Sequence, residues 1–173
     1  MSDLTLRRIK RLLIECPDSV KSGLNAPDSI FEPGLTNPHY LLLSLSPKGS
    51  EYRRTNNRLA DNQPFSIGNN SIVVSPSSIS REIEVKVAGC PVALFDTIEE
   101  LVEISESNAQ PIRLFDYCKP ERSDRKATPV GVEPRTERLG FIEIDQVGAE
   151  VGQPGDEWLH GGFSCKFFEL AIR

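Results

Sequence analysis

The residue pattern predicts a mostly β chain of the α+β class: a β-sandwich or small β-barrel with one helix packed across it and an amphipathic helix at the N-terminus. Three observations carry this expectation. Apolar residues recur with a period of two in several separate runs. A 3.6-residue period is clear in one internal segment, and 13 prolines with 12 glycines cut the 173 residues into short, turn-bounded pieces. The clearest unit is Ser80 to Tyr117. There Ile83, Val85 and Val87 alternate with Glu82, Glu84 and Lys86, as a strand with one dry and one wet face must read. Asp96 then stands at capping-box distance from Glu99, and Ile98, Leu101 and Val102 line one side of a helix expected over about Thr97 to Ser105. Ile112, Leu114 and Phe115 restore an extended, mostly apolar run after Pro111.

In chain order, Leu6, Ile9 and Leu13 fall at helical spacing with Arg7, Arg8, Lys10 and Arg11 between them, which predicts a basic amphipathic helix ending at Cys16. Such a helix is read as docked on the body with its basic face in solvent, in preference to one that touches phosphate, an acidic neighbour or a membrane surface. Residues 17–38 carry four prolines, with Pro-Asp twice and Pro-Gly once, and read as an extended surface connection. His39 to Leu45 is an apolar run between prolines and suits a buried strand. After Pro47-Lys48-Gly49 comes the polar, basic stretch Glu51 to Arg58, read as a solvated strand edge or an interaction surface. Phe65–Ile67 and Ser71–Val74 flank Gly68-Asn69-Asn70, a hairpin signal, because Gly and Asn accept the positive φ that tight turns demand.

Residues 118–139 are almost wholly polar, with Arg122, Arg125, Lys126, Arg135 and Arg138 among four acidic residues, and read as a long polar loop able to order against a neighbouring subunit. Phe141, Ile142 and Ile144 mark a strand, residues 148–155 a glycine-rich turn, and Phe163, Cys165 and Phe167 a closing strand that runs toward Ile172, with Phe168 among its polar positions. Ile83, Val85, Val87, Ile98, Leu101, Ile112, Leu114, Ile142, Ile144, Phe163 and Phe167 are expected to form one core. The length fits a single domain, with the β body occupying residues 39–173.

Composition narrows the functional classes. A net charge of −5 argues against whole-surface attraction to nucleic-acid phosphates. No apolar run approaches 18 residues and no apolar stretch follows the N-terminal charges, so neither membrane insertion nor secretion is expected. Cys16, Cys90, Cys118 and Cys165 have no paired spacing and the histidines are only His39 and His160, so the thiols are read as reduced and packed, and neither metal nor cofactor is expected. Pro27-Asp28 with Glu84-Val85-Lys86 matches in letter a metal-dependent nuclease pattern. An ExK triplet is also what an amphipathic strand produces, and that explanation is preferred. Trp158 beside His160 is read as a partly buried anchor in preference to a binding tip.

Taken as a series, the polar arginine-bearing strand, Ser80-Arg81-Glu82-Ile83-Glu84-Val85-Lys86-Val87-Ala88-Gly89, the helix opening Asp96-Thr97-Ile98-Glu99-Glu100-Leu101, Pro111-Ile112-Arg113-Leu114-Phe115-Asp116, Leu139-Gly140-Phe141-Ile142-Glu143-Ile144 and Gly162-Phe163-Ser164-Cys165-Lys166-Phe167-Phe168-Glu169-Leu170 resemble the distal-tail, tail-tube and tail-terminator proteins of bacteriophages and contractile injection machines. The resemblance spans roughly residues 50 to 173 and is one of element order. It implies a structural subunit, not an enzyme, placed in a virion tail or in cytoplasmic assembly, joining copies of itself and neighbouring tail or baseplate proteins through sheet edges and loops. Tyr52, Arg53, Arg54, Arg58, Arg122, Arg125 and Lys126 are the interface candidates. The rival readings are a non-catalytic intracellular binding or adaptor module and, third, the metal-dependent nuclease.

Overall fold

Ile83, Val85 and Val87 are 0, 3 and 1 % exposed while Lys86 between them lies in solvent, so the alternation seen in the residues is the alternation of the fold. The computed structural model describes residues 11–36, 38–45, 47–56, 65–67, 72–74, 79–117, 136–153 and 157–170. These form strands β1 (Arg11–Cys16), β2 (Phe31–Thr36), β3 (His39–Ser44), β4 (Glu51–Asn56), β5 (Phe65–Ile67), β6 (Ile72–Val74), β7 (Ile79–Pro91), β8 (Ile112–Tyr117), β9 (Thr136–Val151) and β10 (Trp158–Leu170). Helix α1 spans Asp18–Gly23, a 3-10 turn spans Asp28–Ile30, and α2 spans Val92–Asn108. Eight strands make one antiparallel sheet in the order β2-β3-β1-β8-β9-β10-β7-β4, curled into half a barrel, and β5 and β6 pair as the expected hairpin. The mostly β, α+β architecture with one main packed helix is therefore the observed one.

The core lies between one face of the sheet and α2, which packs on β7, β8, β9 and β10. All eleven residues expected to form it are there, with Ile144 partly buried at its margin and Leu94, Phe95, Val102 and Leu159 added. A second, smaller set, Leu13, Phe115, Phe141 and Phe168, is 2–8 % exposed on the opposite face, where register sets Leu13 against Phe115 and Phe141 against Phe168. Phe168 thus departs from the wet face expected for it.

Four expectations are corrected. The N-terminal helix fails over its described part: Arg11–Cys16 is a strand in the middle of the sheet, paired with β3 on one side and β8 on the other. Leu12, Leu13 and Ile14 are all buried because a strand enclosed on both faces needs consecutive apolar residues, a pattern that the helical count of Leu6, Ile9 and Leu13 passed over. Residues 1–10 lie outside the described residues. Residues 17–38 are not a featureless connection; α1, the 3-10 turn and β2 form within them, so the β body begins at residue 11 and not at 39. Helix α2 starts at Val92, with Pro91 at its N-cap and the Val92 N–H donating to the Glu157 carbonyl 3.0 Å away, so Asp96 lies inside the helix and does not cap it. Finally, β9 begins at Thr136, which places Arg138 in the sheet, and β9 takes up Gly148 to Val151 of the expected 148–155 turn. Residues 118–135 and Ile172 lie outside the described residues.

Candidate functional site: the β4 edge

The turn at Pro47-Lys48-Gly49 delivers the chain into β4. The Ser50 N–H donates to the Pro47 carbonyl at 3.1 Å, Gly49 takes φ +98°, and the Ser50 hydroxyl accepts from the Ala88 N–H at 3.1 Å, fastening the start of the strand to β7. From there Glu51 to Asn56 pair without interruption against Lys86 to Arg81. Strand β4 ends the sheet order, and among the described residues β7 is its sole strand neighbour. A strand in this position offers a row of backbone donors and acceptors to an incoming strand.

The two ends of the sheet differ in kind. Strand β2, at the other end, contains Pro33 and Gly34, with Gly34 at φ +84°, and pairs with β3 only at Phe31 and Thr36. Proline lacks the N–H and the irregular middle breaks the ladder, so this edge is a poor template. Strand β4 contains neither proline nor glycine.

Side chains divide by face. Tyr52 packs against the margin of the core opposite Val85. Glu51 and Arg53 lie on the outer face, where the Arg53 guanidinium reaches the Glu84 carboxylate at 3.7 Å. A depression of about 480 Å³ opens beside them, lined by Glu51, Arg53, Glu84, Lys86, Asp145, Gln146 and Ser164, with Val85 and Cys165 also reaching its wall. Three carboxylates face two cations there. The register of β10 with β9 slips between Ser164 and Cys165, and Asp145, which lines the hollow, falls in the irregular step. Burial, with Asp145 adding to it, pushes the Cys165 thiol up to about 12, so at neutral pH it stays protonated.

Of the sequence-derived interface residues, Tyr52, Arg53 and Arg54 fall on β4. Arg58, Arg122, Arg125 and Lys126 lie outside the described residues. Asp28 and Glu84 are not brought together: five strands of the sheet separate β2, next to Asp28, from β7, and the Asp28 carboxylate pairs with Lys21 at 3.0 Å. Among the described residues no group of three His, Cys, Asp or Glu side chains is placed to hold a metal ion. Trp158 is 45 % exposed, with its indole nitrogen over Gly89, so it is a surface residue laid on β7 more than an anchor.

Two clusters were not visible in the residue order. Around α1, His39 Nδ1 lies 3.0 Å from Asp18 and its Nε2 3.4 Å from the Lys21 ammonium, which also sits 5.2 Å above the Phe31 ring. Lys21 holds the Asp28 carboxyl below its ordinary range through a hydrogen bond and its charge. The cluster ties α1 and the 3-10 turn to the β2–β3 end of the sheet; the two Pro-Asp steps, each opening a short helical turn, were its signal. Elsewhere in the sheet, Glu169 accepts two hydrogen bonds from Arg138, at 2.9 and 3.1 Å, and lies 3.9 Å from Arg81. The Arg138 side chain is only 6 % exposed. No protein-family model, curated protein or solved structure matches this chain.

Proposed function

We propose that the chain is a structural subunit that works by strand-edge assembly, a component of a tail- or baseplate-type particle. The observation that carries the reading is β4: six residues in unbroken register, free of proline and glycine, at the end of an eight-stranded sheet. Regular edges of this kind are normally blunted, as β2 is here, because they recruit other strands. A regular edge beside a field of mixed charge supports use of that recruitment. The element order that resembles phage tail proteins supports the finer assignment, and the partners are copies of the chain and neighbouring tail or baseplate proteins.

The test is recovery of the chain from its native source under mild cross-linking, followed by mass measurement of the particle that contains it. The expected result is a multi-chain particle in which the chain contacts copies of itself or other structural proteins. A strict monomer at high concentration, with no partner recovered, overturns the assembly reading.

A further inference from the structure

We infer that β4 pairs antiparallel with β4 of a second copy of this chain, about a two-fold axis at Tyr52. The inference rests on the assembly reading above and names its partner and register. Two identical antiparallel strands that extend one continuous sheet keep every side chain on its proper face only when the axis passes through a residue and its own copy. This leaves few registers for a strand as short as β4, and charge separates them.

Centred on Tyr52, the pairing spans Ser50 to Arg54 and sets Glu51 of each copy opposite Arg53 of the other, giving two reciprocal ion pairs on the outer face. Tyr52 meets Tyr52 on the core side of the sheet, where the side chain already borders the core. Centring on Arg53 or on Arg54 places that arginine against its own copy, and centring on Glu51 places two carboxylates together, each a like-charge contact directly across the strands. Centring on Thr55 matches no opposite charges at all. The Tyr52 register alone among these joins unlike charges.

The depression on the outer face gives the pairing a further consequence. Glu51 and Arg53 both line it beside β4, so the second copy brings its own Glu51 and Arg53 to the same rim. The hollow then continues across the junction, lined from both chains. Arg53 has 66 % of its side chain exposed, so changing it leaves the core intact.

The experiment is sedimentation velocity on the full chain as wild type, Glu51→Arg, Arg53→Glu, and an equimolar mixture of the two variants, with thermal melts confirming that each is folded. The wild type is expected to form a dimer. Each variant sets like charges opposite one another and is expected to weaken self-association by about tenfold or more, from two cross-strand pairs reversed in sign. The mixture is expected to regain dimer, because the Arg53→Glu strand then presents carboxylates at both positions and the Glu51→Arg strand presents guanidinium groups at both, so each cross-strand pair joins unlike charges again. Dimers of both variants as tight as the wild type, or a mixture that stays monomeric, overturn this register while leaving assembly through another surface standing. A monomeric wild type that is nevertheless recovered in a particle with other chains overturns self-pairing alone; a monomeric wild type with no recovered partner overturns both readings.

Discussion

Val85 and Glu84 are adjacent in the chain and opposite in environment, the one 3 % exposed in the core and the other on the outer face beside Arg53. Val85→Ala is expected to cost about 1–3 kcal/mol and Glu84→Ala close to nothing, measured by urea denaturation; equal sensitivity at the two positions would remove the basis for the core assignment. That contrast was legible in the residues, since a period of two needs only neighbours to be recognised. Arg138 was not. It stands in a run of mixed charge that reads as solvated, and the carboxylate that pairs with it, Glu169, is 31 residues away on another strand. Arg138→Ala removes the two hydrogen bonds that Glu169 accepts and leaves it the longer contact to Arg81, at a cost of about 1–3 kcal/mol, whereas Arg138→Met with Glu169→Leu should cost less, because the carboxylate is removed together with its hydrogen-bond donor. Similar losses in both would show that the apolar stems, and not the ion pair, hold this part of the sheet.

At the level of elements, α2 was recognisable from its apolar stripe, but its ends were not. Asp96 has the spacing of a cap, yet Pro91 at the end of β7 turns the chain into the helix earlier, and proline with its fixed φ suits the start of a helix. The other end stops at Ala109, which takes φ +50° and ψ +36°, the left-handed position where glycine is normal, while the Gln110 N–H donates to the Ser105 carbonyl at 3.1 Å. Ala109→Gly is expected to raise stability by about 0.5–1 kcal/mol by relieving the Cβ, read as a higher melting temperature, and a lower one would mean that the gain in unfolded-chain freedom dominates. Strand β1 was the element least visible. Its identity depends on lying buried between β3 and β8, the second of which is far along the chain, and no local period reports that. The β4 edge was half visible: its polar basic composition marked a surface strand, but its place at the end of the sheet depends on β7 lying beside it.

For the molecule as a whole, the order of strands in space bears little relation to their order in the chain. Strand β10 lies between β7 and β9, in long register with each, and its passage is eased at Gly162, where φ is +61° and a Cβ would collide with the Val87 carbonyl. A ribosome delivers β7 and β9 before β10, so for that interval the emerging chain holds two long strands, each with one apolar face, whose shared neighbour does not yet exist. Native pairing across this part of the sheet therefore waits until β10 has cleared the exit tunnel, and it is then limited by non-local strand association, which is intrinsically slow. Stalled nascent chains that end near residue 157 are expected to be protease-sensitive and to bind chaperones, and those with β10 fully exposed to acquire resistance in one step. Gradual acquisition of resistance as β7, α2 and β9 emerge would instead mean that the helix and its strands fold as a unit before the sheet is complete.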